Sequence, residues 1–251
     1  MKVKLLSLIL LLFVLSAHAP TDAITVYLVG DSTMSEKEVK AYPETGWGMP
    51  FRYFFNETVV VENHARNGRS TRTFITEGRW QTVSDKLRKG DYVFIQFGHN
   101  DESKEKADRY TSPEDYKKNL ARFINESLAK GAVPVLLTPV ARRRFDEQGN
   151  IRESHPEYSP LVHEVAKQLN VAFIDLDKRS QALYQQFGKE NSKLLFLQLK
   201  PGEHPNYPEG KDDNTHFNEL GARLIAQIVL EEIQNLKLEL ANRIIKNEVK
   251  R

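Results

Sequence analysis

The sequence predicts an α/β protein, a parallel β-sheet covered by helices, and three observations lead there. Short apolar runs alternate with longer amphipathic stretches along most of the chain, which is the pattern of strands joined by crossover helices. A fully marked helix, Pro113 to Lys130, stands between two such runs, with Ser112 as N-cap, Pro113 in its first turn and Gly131 as its stop. The first run, Ile24 to Val29, leads directly into Gly30-Asp31-Ser32-Thr33. That places a hydroxyl at the carboxyl end of a strand, where open α/β sheets keep their ligand crevice.

Taken in order, the chain begins with Lys2 and Lys4, an apolar stretch from Leu5 to Leu15, and Ala17-His18-Ala19. These are the charged, apolar and small-residue parts of a secretory signal peptide, with cleavage expected after Ala19 or Ala23. The apolar stretch is too short to remain as a membrane-spanning helix. The mature protein is therefore expected to be exported, to the periplasm or beyond, with no membrane segment. Residues 24–251 form one expected domain, since 251 residues with 40% hydrophobic content suit a single sizeable core.

Five strands are expected: Ile24 to Val29, Thr58 to Glu62, Tyr92 to Phe97, Val133 to Thr138 and Val171 to Leu176. From Asn218 onward, Leu220, Leu224, Ile225, Ile228, Val229 and Ile233 recur at helical spacing and predict a last helix packed on the sheet. The same spacing continues through Leu238, Leu240 and Ile244 among many charges, so the tail reads as a solvated helix end. Ala141 to Pro160 and Leu199 to Thr215 read as long loops at the carboxyl edge of the sheet, of a length that is often functional. Met34 to Gly48 is a shorter excursion that could supply an aromatic wall beside Ser32.

Charge and cysteine content narrow the function classes. Removing residues 1–19, which carry two lysines and no acid, takes the formal net charge from +2 to 0. A balanced surface does not predict nucleic-acid or anionic-membrane binding. Cysteine is absent, so an exported chain of this kind must rest on its core rather than on disulfides. No sequence feature bears on oligomeric state.

Four segments carry chemistry. Besides Ser32, Gly68 in Ala65-Arg-Asn-Gly-Arg-Ser-Thr71 lets a backbone N–H approach whatever lies beyond the second strand. Asn100 in Gly98-His-Asn-Asp101 can donate from the end of the third. Asp213 and His216 in Asp212-Asp-Asn-Thr-His216 are spaced to meet in one turn. Singly these are turn, cap and helix-start residues. Together they supply the parts of acyl transfer: Ser32 as nucleophile, His216 as base and then acid, and Asp213 to fix the imidazole. The backbone N–H groups of Ser32 and Gly68 and the Asn100 side-chain amide serve as the oxyanion donors. This chemistry requires no cofactor and no metal.

In order and context, Ser32, Gly68, Asn100 and His216 resemble the four marker residues of the SGNH (GDSL-like) hydrolases. More narrowly, Gly-Asp-Ser-Thr, Asn-Gly-Arg-Ser, Gly-His-Asn-Asp and the segment Lys200 to Phe217 look like the rhamnogalacturonan acetylesterase branch. The resemblance covers essentially the whole mature chain. It implies a flavodoxin-like three-layer α/β/α sandwich with a five-stranded parallel sheet. It also implies removal of acetyl groups from acetylated pectic polysaccharide or oligosaccharide.

Substrate contacts are expected from Trp47, Arg69, Tyr207 and Arg142, with Arg72, Arg143, Arg144 and Phe217 also in view. Arginines suit uronic carboxylates, and aromatic rings suit sugar faces. Other readings are an esterase for another acetylated plant glycan or a small acyl ester, a metal-dependent hydrolase built on the Asp and His residues, and a non-catalytic carbohydrate-binding protein.

Overall fold

A computed structural model describes residues 23–246; the expected leader lies outside them. In chain order the elements are β1 (Ile24–Gly30), α1 (Gly48–Phe51), β2 (Val59–Asn63), α2 (Thr71–Thr76), α3 (Arg79–Ser84), β3 (Tyr92–Gln96) and α4 (Pro113–Ala129). They continue with β4 (Val133–Leu137), α5 (Tyr158–Leu169), β5 (Ala172–Ile174), α6 (Leu176–Asn191), β6 (Phe196–Leu199), β7 (Lys211–Phe217) and α7 (Glu219–Asn235). The five expected strands form one parallel sheet in the order β2-β1-β3-β4-β5. That is the doubly wound order in which a crevice opens where the connections diverge, between β1 and β3.

Side chains alternate across the strands and divide the core into two layers. Val26, Leu28, Phe94, Val135 and Leu137 face α1, α6 and α7, packing with Phe51, Tyr184, Ile225 and Val229. Tyr27, Val29, Val93 and Ile95 face α2 to α5, packing with Phe74, Trp80, Phe123 and Val162. The result is the three-layer α/β/α sandwich. Helix α4 begins as its sequence requires, with the Ser112 side chain accepting from the Asp115 N–H at 3.1 Å.

Three expectations need correction. The stretch from Leu199 to Thr215 is not all loop, because β6 and β7 pair antiparallel as a separate two-stranded sheet. Its β7 strand is polar, Lys-Asp-Asp-Asn-Thr-His-Phe, so hydrophobic alternation could not reveal it. Leu220, assigned to the core stripe, is 48% exposed, while Ile225, Val229 and Ile233 are fully buried.

The tail is the third correction. Lys237 takes a left-handed φ of 52° and ends the helix. The Glu239–Arg243 segment then forms a 3-10 turn that buries Leu240, and Ile244 bridges to Phe55. The chain crosses the core as a strap rather than projecting as a solvated helix. Leu238, Leu240 and Ile244 fit either arrangement by spacing alone.

Candidate functional site

Ser32 follows β1 on a tight turn in which the N–H groups of Met34 and Ser35 both donate to the Asp31 carbonyl. Asp31 is fully buried, and its Oδ1 accepts from the Thr33 N–H (3.0 Å) and the Thr33 hydroxyl (2.8 Å). Beneath the turn, Gln96 donates to Thr33 Oγ1 at 2.7 Å and accepts from the Trp47 indole N–H at 2.7 Å. This buried relay fixes the strand end from below. A side chain at Gly30 would stand 2.6 Å from the Gln96 carbonyl, so β1 and β3 approach closely only with glycine there.

His216 and Asp213 arrive on β7, and β7 is held on two sides. The Thr45 N–H donates to the Phe217 carbonyl at 2.8 Å. Arg143 donates from its backbone to the Asn214 carbonyl and from Nη1 to Asn214 Oδ1, both at 2.8 Å. The two functional side chains meet three residues apart within this strand, and Asn218 is the N-cap of α7. Asp213 Oδ1 accepts from the N–H groups of Thr215 (2.8 Å) and His216 (2.9 Å), which leaves Oδ2 for His216 Nδ1 at 2.8 Å. On the other side of the imidazole, Nε2 lies 2.9 Å from Ser32 Oγ.

Burial pushes the Asp213 carboxyl up. The hydrogen bond and charge of His216, together with the two backbone N–H groups, outweigh this and hold it well below the usual carboxylate range. An ionised Asp213 only accepts, so the imidazole proton sits on Nδ1 and the Nε2 lone pair faces the serine hydroxyl. The arrangement can therefore remove a proton from Ser32 Oγ.

The candidate oxyanion donors follow two more strand ends, those of β2 and β3. Gly68 has a φ of +75°, which glycine adopts without strain. Neither its N–H nor that of Ser32 donates a hydrogen bond among the described residues. Asn100 donates from Nδ2 to the Arg69 carbonyl at 3.0 Å, so one amide hydrogen orients the side chain and the second stays free. Asp101 joins the same two loops, with Oδ1 accepting from the Thr71 N–H (2.9 Å) and hydroxyl (2.6 Å). Ser32, Gly68 and Asn100 thus all lie in the segments that follow the carboxyl ends of β1, β2 and β3.

A layer of buried titratable groups lies behind these loops. Burial pushes the Asp101 carboxyl up to about 7, and it also raises Asp31. Burial, then the neighbouring His155, holds His99 well below the ordinary histidine value. Asp31 Oδ2, Asp101 Oδ2 and both His99 ring nitrogens have no partner among the described residues.

The expected substrate contacts fare less well. Trp47 and Phe217 are fully buried and offer no sugar platform. Trp47 belongs to the Gln96 relay, and Phe217 packs against Phe196. The Tyr207 hydroxyl donates to the Ala41 carbonyl at 2.8 Å and pins its loop in place. Arg142 pairs with Glu102, which also holds the buried His155. Arg143 is occupied by β7 and by Ser192 Oγ at 2.9 Å, whereas Arg144 is exposed. Arg69 reaches Glu77 (3.1 Å) and the Asn67 carbonyl (2.9 Å) and stays partly exposed, while Arg72 donates to the Ala107 carbonyl.

Several participants gave no sequence signal. Gln96 is a lone polar residue inside the apolar run Tyr92 to Phe97, and its 0% exposure makes it a core polar group. Arg109 comes from a distant loop, yet its Nη1 lies 3.1 Å from where a Gly68 side chain would begin. Among the described residues, no group of three or more His, Cys, Asp or Glu side chains is placed to hold a metal ion.

Comparison with known proteins places this geometry in a family. Residues 28–224 match the GDSL-like Lipase/Acylhydrolase family. The chain is 43% identical over 227 residues to the rhamnogalacturonan acetylesterase RhgT of Bacillus subtilis, covering 90% of this chain and 97% of that one. It is 38% identical to the probable rhamnogalacturonan acetylesterase YesY of the same organism, covering 88% and 97%. The crystal structure of Bacillus subtilis YxiM superposes with a TM-score of 0.74 at 25% identity, over 86% of this chain and 57% of that chain. The family match runs from within β1 into α7 and so takes in every segment that meets at the site, and on that extent the chain belongs to the GDSL-like lipase/acylhydrolase family.

Proposed function

We propose that the protein is a serine esterase that removes acetyl groups from acetylated rhamnogalacturonan. The single observation that carries the proposal is the unbroken chain Ser32 Oγ–His216 Nε2 and His216 Nδ1–Asp213 Oδ2, at 2.9 and 2.8 Å, beside three candidate oxyanion donors. Two relatives named for rhamnogalacturonan acetylesterase activity, at 43% and 38% identity, support the choice of acyl group and polymer.

In this reading Ser32 Oγ attacks the acetyl carbonyl while His216 Nε2 takes its proton. The negative charge on the tetrahedral oxygen is met by the N–H groups of Ser32 and Gly68 and by the Asn100 amide. His216 then returns the proton to the departing sugar oxygen, leaving an acetyl group on Ser32. Water, deprotonated by the same imidazole, releases acetate and restores the hydroxyl. The partner is an acetylated pectic polysaccharide or oligosaccharide, and the Met1 to Ala19 pattern supports export to reach it. No helix among the described residues is long and apolar enough to cross a membrane.

The test compares acetate release from acetylated rhamnogalacturonan, acetylated xylan and a long-chain acyl ester, each with a Ser32→Ala control. Preferential, Ser32-dependent release from rhamnogalacturonan is expected. Equal or greater release from xylan would replace the pectic substrate, and release without Ser32 would remove the mechanism.

A further inference from the structure

Lys37 follows the nucleophile turn closely in sequence, and its side chain is only 2% exposed. Its ammonium has three hydrogen-bond partners. Nζ donates to the carbonyl of Ser32 itself at 2.6 Å and to Asn67 Oδ1 at 2.8 Å, and it pairs with Glu44 Oε1 at 2.7 Å. Asn67 immediately precedes Gly68, and its Oδ1 also accepts from the Ser35 hydroxyl at 2.6 Å. One buried cation therefore spans the two turns whose backbone N–H groups would face the oxyanion.

A packing role alone would not require this arrangement. Burying an ammonium is costly, and a well-packed apolar side chain of similar volume commonly serves stability as well or better. What an apolar side chain lacks is two directional donors aimed at two separate turns. Those turns come from different strands, β1 and β2, and misplacement of a reacting group by 1 Å can cost about 10²-fold in rate.

We propose that Lys37 is a positioning residue: by holding the Ser32 carbonyl and the Asn67 side chain together, it sets the spacing of the Ser32 and Gly68 oxyanion donors. Glu44 balances its charge and touches neither turn through this contact. The proposal rests on Ser32 acting as the nucleophile.

The test uses p-nitrophenyl acetate as substrate and phenylboronic acid as the tetrahedral probe, with the thermal midpoint measured for each variant. Lys37→Met should lower kcat by about 10²-fold, because it frees both donors at once. KM should change by less than about threefold, since the planar ester does not use the oxyanion geometry, while affinity for the boronate should fall about tenfold or more. Asn67→Ala should reproduce part of the kcat loss, and the double variant should be no worse than Lys37→Met, because both act through one tether. Glu44→Gln should keep kcat within about threefold, since the two bonds to the turns remain.

If Glu44→Gln costs as much kcat as Lys37→Met, or if the boronate binds Lys37→Met unchanged, the ion pair is only structural and the proposal fails. Should Lys37→Met not fold, the contrast between Asn67→Ala and Glu44→Gln decides the matter by the same criterion. A fully active Ser32→Ala protein would overturn the parent reading as well, which distinguishes the two failures.

Discussion

At the scale of single residues, the site assigns unequal roles to groups that look equivalent in the sequence. Ser32→Ala deletes the proposed attacking atom while leaving the Asp31, Thr33 and Gln96 bonds that shape the turn. Turnover is expected to fall to background with the thermal midpoint nearly unchanged, as measured by acetate release and circular dichroism. Asp213→Ala should cost less than His216→Ala, because the carboxylate orients and stabilises the imidazole while the imidazole carries the proton. Equal losses in kcat/KM would contradict that ranking. Gly68→Ala combines two penalties: its φ of +75° disfavours a side chain, and the new Cβ would lie 3.1 Å from Arg109 Nη1. A stability loss of about 1 kcal/mol with a larger fractional loss of kcat is expected. A drop in stability with kcat unchanged would mean that the added side chain does not displace the Gly68 N–H.

At the scale of elements, what was legible in the sequence depended on how a segment is stabilised. The five sheet strands and α4 were legible because apolar runs, a cap and a stop glycine are local signals. So was Gly-Asp-Ser-Thr as a strand-end turn. The β6–β7 sheet was not, since β7 is polar and is held by the Thr45 and Arg143 contacts from elsewhere. Trp47 illustrates the same limit. Its neighbourhood reads as a wall for a sugar, but Gln96 draws the indole into the core. The tail strap offers a direct test of this correction. Leu240 is fully buried in the core layer that holds Phe51, Ile225 and Val229, so Leu240→Ala should destabilise by about 3 kcal/mol in urea unfolding. A solvated helix end would lose less than about 0.5 kcal/mol on the same change.

At the scale of the whole molecule, the buried groups behind the site should shape how stability depends on pH. Asp101 keeps its proton up to about 7, against an ordinary value of 3.8, so its protonated form stabilises the fold. That contribution is complete below about 3.8 and is lost as pH rises through about 7. His99 acts in the opposite sense. Its folded value lies well below the ordinary 6.5, so the folded chain holds it neutral while the unfolded chain protonates it. Its contribution is complete above about 6.5 and is lost as pH falls. Asp213, held low, is ionised in both states above about pH 5 and drops out of the comparison. Between the two ordinary values, then, the proton that folding adds at Asp101 acts against the one it removes at His99. Asp101→Asn removes one side of that balance while keeping an oxygen for the Thr71 N–H and hydroxyl. Urea unfolding at pH 4.5, 5.0, 5.5 and 6.0 should show the variant gaining stability with pH more steeply than the parent, by about 1.4 kcal/mol per pH unit. Identical slopes in the two proteins would mean that Asp101 is ionised in the folded state, and the compensating layer behind the site would have to be abandoned.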